Sequence, residues 1–189
     1  MPRTVDRTAR LTAVSDAVVG LATEAGFAAV TIRSVAERVG ASTSVVTHYV
    51  GSRDEMLRMA VRREVDARRG QAEDAMAGHG GAVALRALVE WAVLTADEAT
   101  HRFWLALILG APTEPVLRAE LDAFNDWWDA ALENLLAQAG IAEREHAADL
   151  LNVVVDGLVV GGFDEGAPWP PARRRQVLAA AWRALGITE

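Results

Sequence analysis

Residues 31–57, TIRSVAERVGASTSVVTHYVGSRDEML, decide the fold. Thr31 suits an N-cap, and Ile32, Val35, Ala36 and Val39 follow at three- and four-residue spacing, one apolar helical face that Gly40 ends. A second, very short helix is expected over residues 43–49, with Val46 and Tyr49 turned back to the core. Two short helices about the turn Gly40-Ala41-Ser42 have the spacing of a helix-turn-helix, in which the first helix braces and the second enters the major groove. A groove-entering helix needs a polar, unencumbered outer face, and Ser42, Thr43, Ser44, Thr47 and His48 supply one. Spacing alone leaves a plain helical corner with a solvated face equally open. Ser52 and Glu55 have capping-box spacing and open a long helix through Met56, Leu57, Ala60 and Val61.

Outward from this stretch, helical periodicity runs nearly end to end and no segment alternates with period two. A first helix over 7–25 turns Leu11, Val14, Val18, Leu21 and Ala25 to one face before Gly26 stops it. Beyond Gly78-His79-Gly80-Gly81, helices are expected at about 82–100, 101–110, 114–139, 143–163 and 172–185. Breaks fall at Gly110-Ala111-Pro112, at Ala139-Gly140 and in the loop from Asp164 to Pro171. The expected fold is all-α with about nine helices: a helix-turn-helix domain over 1–60 and a helical bundle over 61–189.

The charge divides in the same way. The chain of 189 residues carries a net −7, yet residues 1–69 hold +3 and residues 70–189 hold −10. A mildly basic head on an acidic body fits local phosphate contact better than general polyanion binding. Without cysteine there are no disulfides and no thiolate metal sites. The start, MPRTVDRTARLT, lacks the apolar run of a signal peptide and no segment has the length of a membrane span, so a cytoplasmic protein is expected.

The order of residues adds more than spacing does. Ala36-Glu37-Arg38-Val39-Gly40-Ala41-Ser42, then His48-Tyr49-Val50-Gly51-Ser52-Arg53-Asp54-Glu55-Met56-Leu57, closely resembles the signature of the TetR family of transcriptional repressors, without a gap from residue 7 to about 60. The resemblance implies that Thr31 touches phosphate and that Arg33 reaches a base or phosphate. It places Thr43 and Ser44 at base-reading positions, Thr47, His48 and Tyr49 at phosphate or base contacts, and Arg53 on the DNA backbone. Two positions depart from the pattern. Val46-Thr47 stands where the family commonly has Leu-Tyr, and Val50 where it has Phe. Readout by Ser and Thr is permissive because hydroxyls donate or accept equally.

A lone head makes few contacts, so binding as a two-fold dimer to paired half-sites is expected. The run LLNVVVDGLVV, residues 150–160, is apolar almost all round and must be buried on every side. One side suits the chain's own core and the other a partner's copy. Val155-Asp156-Gly157-Leu158 resembles a run frequent in the family's penultimate helix, where the last two helices form the dimer interface. Leu151, Val154, Val155, Leu158 and Val159, with Leu178 and Trp182 of the last helix, are the candidate interface residues. Trp91, Phe103, Trp104, Leu107, Phe124, Trp127 and Trp128 are candidates for the wall of an effector pocket, with Asn125, Asp126, Glu90, Asp97 and His101 as polar partners. Such walls suit a flat or cationic apolar ligand, although a plain aromatic core accounts for each residue as well.

Enzyme chemistry finds no footing. There is no phosphate loop, nucleophile elbow or paired-histidine zinc motif, so no catalytic residue, metal or cofactor is expected. The reading is a homodimeric repressor of palindromic double-stranded operator DNA, released by a small apolar or aromatic effector. The alternative is a helical homodimeric interaction protein without ligand control.

Overall fold

The computed structural model describes residues 3–164 and 169–187. Nine α-helices and no strand occur among them: α1 (Arg3–Ala25), α2 (Ile32–Arg38), α3 (Thr43–Val50), α4 (Arg53–Met76), α5 (Gly81–Leu94), α6 (Glu98–Gly110), α7 (Pro115–Gln138), α8 (Arg144–Asp164) and α9 (Pro171–Ala184). A single 3-10 turn, Phe27–Ala29, joins α1 to α2. Of the expected loop from Asp164 to Pro171, residues 165–168 lie outside the described residues.

The chain forms two compact units. The first comprises Met1–Ala67 with Arg102–Phe124, the second Arg68–His101 with Asn125–Glu189. Most of α6 and the start of α7 thus group with the head in the first unit. The reason is a shared core, in which Phe103, Leu107, Leu117 and Leu121 are buried together with Val18, Phe27, Val35, Val46, Met56 and Leu57. Phe27 meets Phe103 edge to face with ring centres 5.9 Å apart. Each fully buried Leu, Phe or Met here contributes about 2 kcal/mol of transfer free energy.

Within the first unit α1, α2 and α3 pack on one another, and side-chain caps start each of the head's helices after the first. Thr31 Oγ1 accepts from Ser34 N at 3.0 Å while Ser34 Oγ accepts from Thr31 N at 2.9 Å. Ser42 Oγ accepts from Val45 N at 3.3 Å. Ser52 Oγ accepts from Glu55 N at 3.1 Å while Glu55 Oε2 accepts from Ser52 N at 3.0 Å, the expected capping box. Between α2 and α3, Gly40 adopts φ 65°. Ala41 N donates to Ala36 O at 2.9 Å and Gly40 N to Glu37 O at 3.3 Å, closing α2 in a Schellman motif. A left-handed residue is required there, which is the work of the glycine.

Arg53 holds the unit together. Its Nε donates to Val30 O at 2.7 Å, its Nη2 to Phe27 O at 3.1 Å, and its two terminal nitrogens to Glu114 at 2.9 and 2.8 Å. The guanidinium holds the Glu114 carboxyl below its usual range, and the carboxylate raises Arg53 in turn. A second link runs from Arg62 to the buried Glu120 at 2.7 Å.

In the second unit α5 packs on α8 and α9, and α8 on α9. Leu85, Leu88, Leu132, Leu136, Leu151 and Leu178 fill its interior. The helices expected at 82–100 and 101–110 meet earlier, because Asp97 caps α6: its Oδ1 accepts from Thr100 N at 2.8 Å and from Thr100 Oγ1 at 2.7 Å. The last carbonyls of α5 are then served by side chains. Thr95 Oγ1 donates to Trp91 O at 2.7 Å, Arg68 Nη2 to Ala92 O at 3.3 Å, and Arg174 Nη1 to Val93 O. His101, 5% exposed, lies close enough to Arg68 and Arg174 to feel both, and its Nε2 has no hydrogen-bond partner. Burial and then the two arginines lower its pKa.

Two outcomes follow. Arg53→Ala removes charged hydrogen bonds from two carbonyls and a carboxylate, and unfolding in urea should show a loss of about 2–3 kcal/mol. A loss within error of zero would remove Arg53 from this role. His101 binds fewer protons folded than unfolded, so its neutral form supports the fold at neutral pH. That support declines as pH falls below about 6.5 toward the lowered folded pKa. His101→Gln should therefore lose less stability than the parent between pH 7.5 and pH 5, and equal losses would contradict the sign.

Candidate nucleic-acid interface and effector site

The second helix of the pair presents the face the sequence calls for. Thr43, Ser44, Thr47 and His48 are exposed along α3, while Val46 and Val50 are buried beneath them. Ser42 is exposed at its start, where its hydroxyl serves as cap and lies 2.9 Å from Ser44 Oγ. Thr47 Oγ1 donates to Thr43 O at 2.8 Å, so its proton is used within the helix and its lone pairs remain for a donor. Tyr49 is half-buried, with its ring edge to face against His48 at 5.4 Å. Eight residues of helix measure about 12 Å, the width of the major groove.

Arg33 is exposed on α2 and reaches Glu37 one turn on at 3.0 Å. A solvated pair of that kind is weak, which leaves Arg33 able to exchange its partner for a phosphate. Thr31 is exposed, although its hydroxyl is engaged in the cap of α2. Arg53 is different. Its guanidinium bonds Glu114 and the carbonyls of Val30 and Phe27 within its own unit. Sequence reasoning also passed over Val45, an exposed apolar side chain within the polar face of α3. The signal was present: one residue before buried Val46, Val45 lies 100° around the helix and cannot share its burial.

The candidate dimer residues divide by depth. Leu151, Leu158, Leu178 and Trp182 are buried within the chain's own second unit, and Val154, Val155 and Val159 are half-buried. Exposed on α8 are Leu150, Val153 (69%) and Val160, with Gly157 between the last two. Positions 150, 153, 157 and 160 share one helix face, an apolar stripe that this chain leaves uncovered. Because residues 150–160 are apolar all round, the sequence could not say which side faced inward.

The seven candidate effector residues are shared between the units. Phe103, Trp104, Leu107 and Phe124 belong to the first, where Leu107 is fully buried and Trp104 packs on Phe124 at 4.6 Å. Trp91, Trp127 and Trp128 belong to the second, where Trp128 Nε1 donates to Asn152 Oδ1 at 2.8 Å. Of the polar partners, Glu90, Asp97, Asn125 and Asp126 are exposed and His101 is buried.

Within the second unit an open cleft of about 580 Å³ is lined by Arg68, Gln71, Trp91, Thr95, Asp97 and Thr100, among others. The Arg68 guanidinium lies 3.9 Å above the Trp91 ring. Burial pushes Arg68 down to about 10. Other tryptophans are covered similarly: Trp169 by Arg173 at 3.5 Å, Trp127 by Arg69 at 5.3 Å and Trp182 by Arg86 at 5.7 Å. Four of the six tryptophans, Trp91, Trp127, Trp169 and Trp182, thus carry an arginine over the ring. No cluster of His, Asp or Glu suited to a metal ion occurs among the described residues.

The chain matches two family models: bacterial regulatory proteins of the tetR family over residues 16–60, and the tetracyclin repressor-like C-terminal domain over residues 80–185. It is 30% identical over 178 residues to the HTH-type transcriptional regulator BetI of Burkholderia thailandensis, covering 89% of each chain. Among solved structures, a transcriptional regulator from Rhodococcus sp. Rha1 superposes with a TM-score of 0.80 at 28% identity, over 94% of each chain. A regulator from Saccharomonospora viridis, solved in complex with choline, superposes with a TM-score of 0.82 at 18% identity, over 93% of this chain and 96% of that one. With a helix-turn-helix head and a helical C-terminal domain, each matched by its own model, the chain is a DNA-binding transcriptional regulator, not an enzyme, and belongs to the TetR family.

Proposed function

We propose that this regulator is a repressor that binds a two-fold symmetric operator as a homodimer, in the cytoplasm, and is released by a small molecule. The exposed hydroxyl face of α3 on a capped, well-packed head carries this reading. Thr43, Ser44, Thr47 and His48 are the exposed groups this reading assigns to the groove, and Arg33 the one it assigns to a phosphate. Val45 adds a methyl-bearing surface of the kind that meets a thymine methyl. Leu150, Val153 and Val160 offer a second copy the apolar stripe it would cover. For effector control the support is the second unit's cleft, together with a solved neighbour of the same fold that holds choline. An effector there acts through α4, which begins at Arg53 beside the head and carries Arg68 into the cleft. Binding that favours one setting of α4 shifts the population away from the DNA-competent form.

An electrophoretic shift assay on DNA upstream of the chain's own gene tests this. Salt-sensitive binding by a dimer is expected, and no binding to any palindrome there would refute it. Arg33→Ala should weaken binding to every sequence alike and lower the salt slope by about one. Val45→Ser should instead change preference at one base pair by roughly 1 kcal/mol, and an equal effect on all sites would withdraw Val45 from base readout.

A further inference from the structure

Resting on the effector-controlled reading, we propose that the cleft beside Arg68 takes a small organic monocarboxylate. The carboxylate binds the Arg68 guanidinium and the apolar part lies against Ala75 and Ala96. All residues lining the cleft belong to the second unit.

Arg68 carries a charge that its surroundings do not match with an ion pair. It is half-buried, yet no carboxylate lies within ion-pair distance of it among the described residues. Its hydrogen bonds are long, 3.3 Å to Ala92 O and 3.4 Å to Gln71 Oε1. Arg174, 8% exposed, donates to the carbonyls of Val93 and Trp169. His101 stands next to both with a buried, unpartnered Nε2. Opposing them are the carboxyl end of α5, worth roughly half a negative charge, and Asp97, whose Oδ1 is already committed to Thr100. What stays unmet is the Arg68 guanidinium itself, whose long hydrogen bonds leave its fork open to an anionic partner in the cleft.

The cleft also disfavours a cation. A quaternary ammonium is recognised on open aromatic faces. Here the face of Trp91 already holds Arg68 at 3.9 Å, and an added cation would displace it and meet like charge. The planar fork of Arg68 instead matches a carboxylate in two parallel hydrogen bonds. Asp74 and Asp97, which line the cleft with Arg68, oppose a second negative charge, which favours a monocarboxylate over a phosphate dianion. This chain therefore differs in ligand chemistry from the neighbour solved with choline.

Calorimetry on the full-length dimer, with DNA release followed by fluorescence anisotropy in the same samples, decides the matter. The probes are benzoate, hexanoate, benzamide, inorganic phosphate and choline. Benzoate or hexanoate should bind and release DNA, with benzamide at least ten-fold weaker than benzoate. Arg68→Gln should lose at least ten-fold in carboxylate affinity, and Arg68→Lys, which keeps charge without the fork, should fall between. Should Arg68→Gln fail to fold, Arg68→Lys and the acid-against-amide comparison on the parent protein still give the answer. Inert carboxylates, tighter binding of phosphate or choline, or unchanged affinity in the variants would each overturn the proposal. DNA release by choline alone would uphold effector control while overturning the carboxylate assignment. Absence of DNA binding would refute the regulator reading, with calorimetry still deciding the ligand.

Discussion

One guanidinium sets the geometry on which DNA reading depends. Arg53 stands at the first residue of α4 and binds the carbonyls of Phe27 and Val30, which bracket the turn leading into α2. The same group reaches Glu114 at the foot of α7. A charge half-withdrawn from water is costly unless its donors are satisfied, and here Nε and both terminal nitrogens have acceptors. The entry to the helix-turn-helix, the start of α4 and the α6–α7 corner are thereby fixed to one point. Recognition needs that rigidity, because side chains as short as Ser44 and Thr47 tolerate little error in the position of their helix.

The helical architecture and the caps of the head were legible in the sequence because their causes are local. Thr31, Gly40, Ser52 and Glu55 act within four residues of themselves, and their spacing states what they do. The partners of Arg53 were not legible, because they are 23 to 61 residues away and nothing local announces them. The inclusion of 102–124 with the head escaped for the same reason. The α5–α6 junction was placed late because apolar periodicity runs across it, and the cap of Asp97 on Thr100 overrides that pattern.

The candidate effector residues show a different limit. Tryptophans clustered in sequence suggested a shared aromatic wall, and the structure distributes them between two units and covers four with arginines. A chain without lysine has only guanidiniums to place on those faces, and a guanidinium is flat, weakly hydrated and stacks well. Aromatic composition suggested a flat or cationic apolar ligand without showing that arginines of the chain itself lie over these rings. The dimer face repeats the lesson on α8, where uniform apolarity concealed which stripe lay outward.

The central claim is that two copies of this head read DNA together from neighbouring turns of the major groove. Hydroxyl-radical footprinting of the full-length protein on its bound promoter fragment tests it most directly. The account predicts two protected patches of equal strength on one face of the duplex, separated by about one helical turn or a multiple of it. A single patch, or two on opposite faces of the helix, would contradict it.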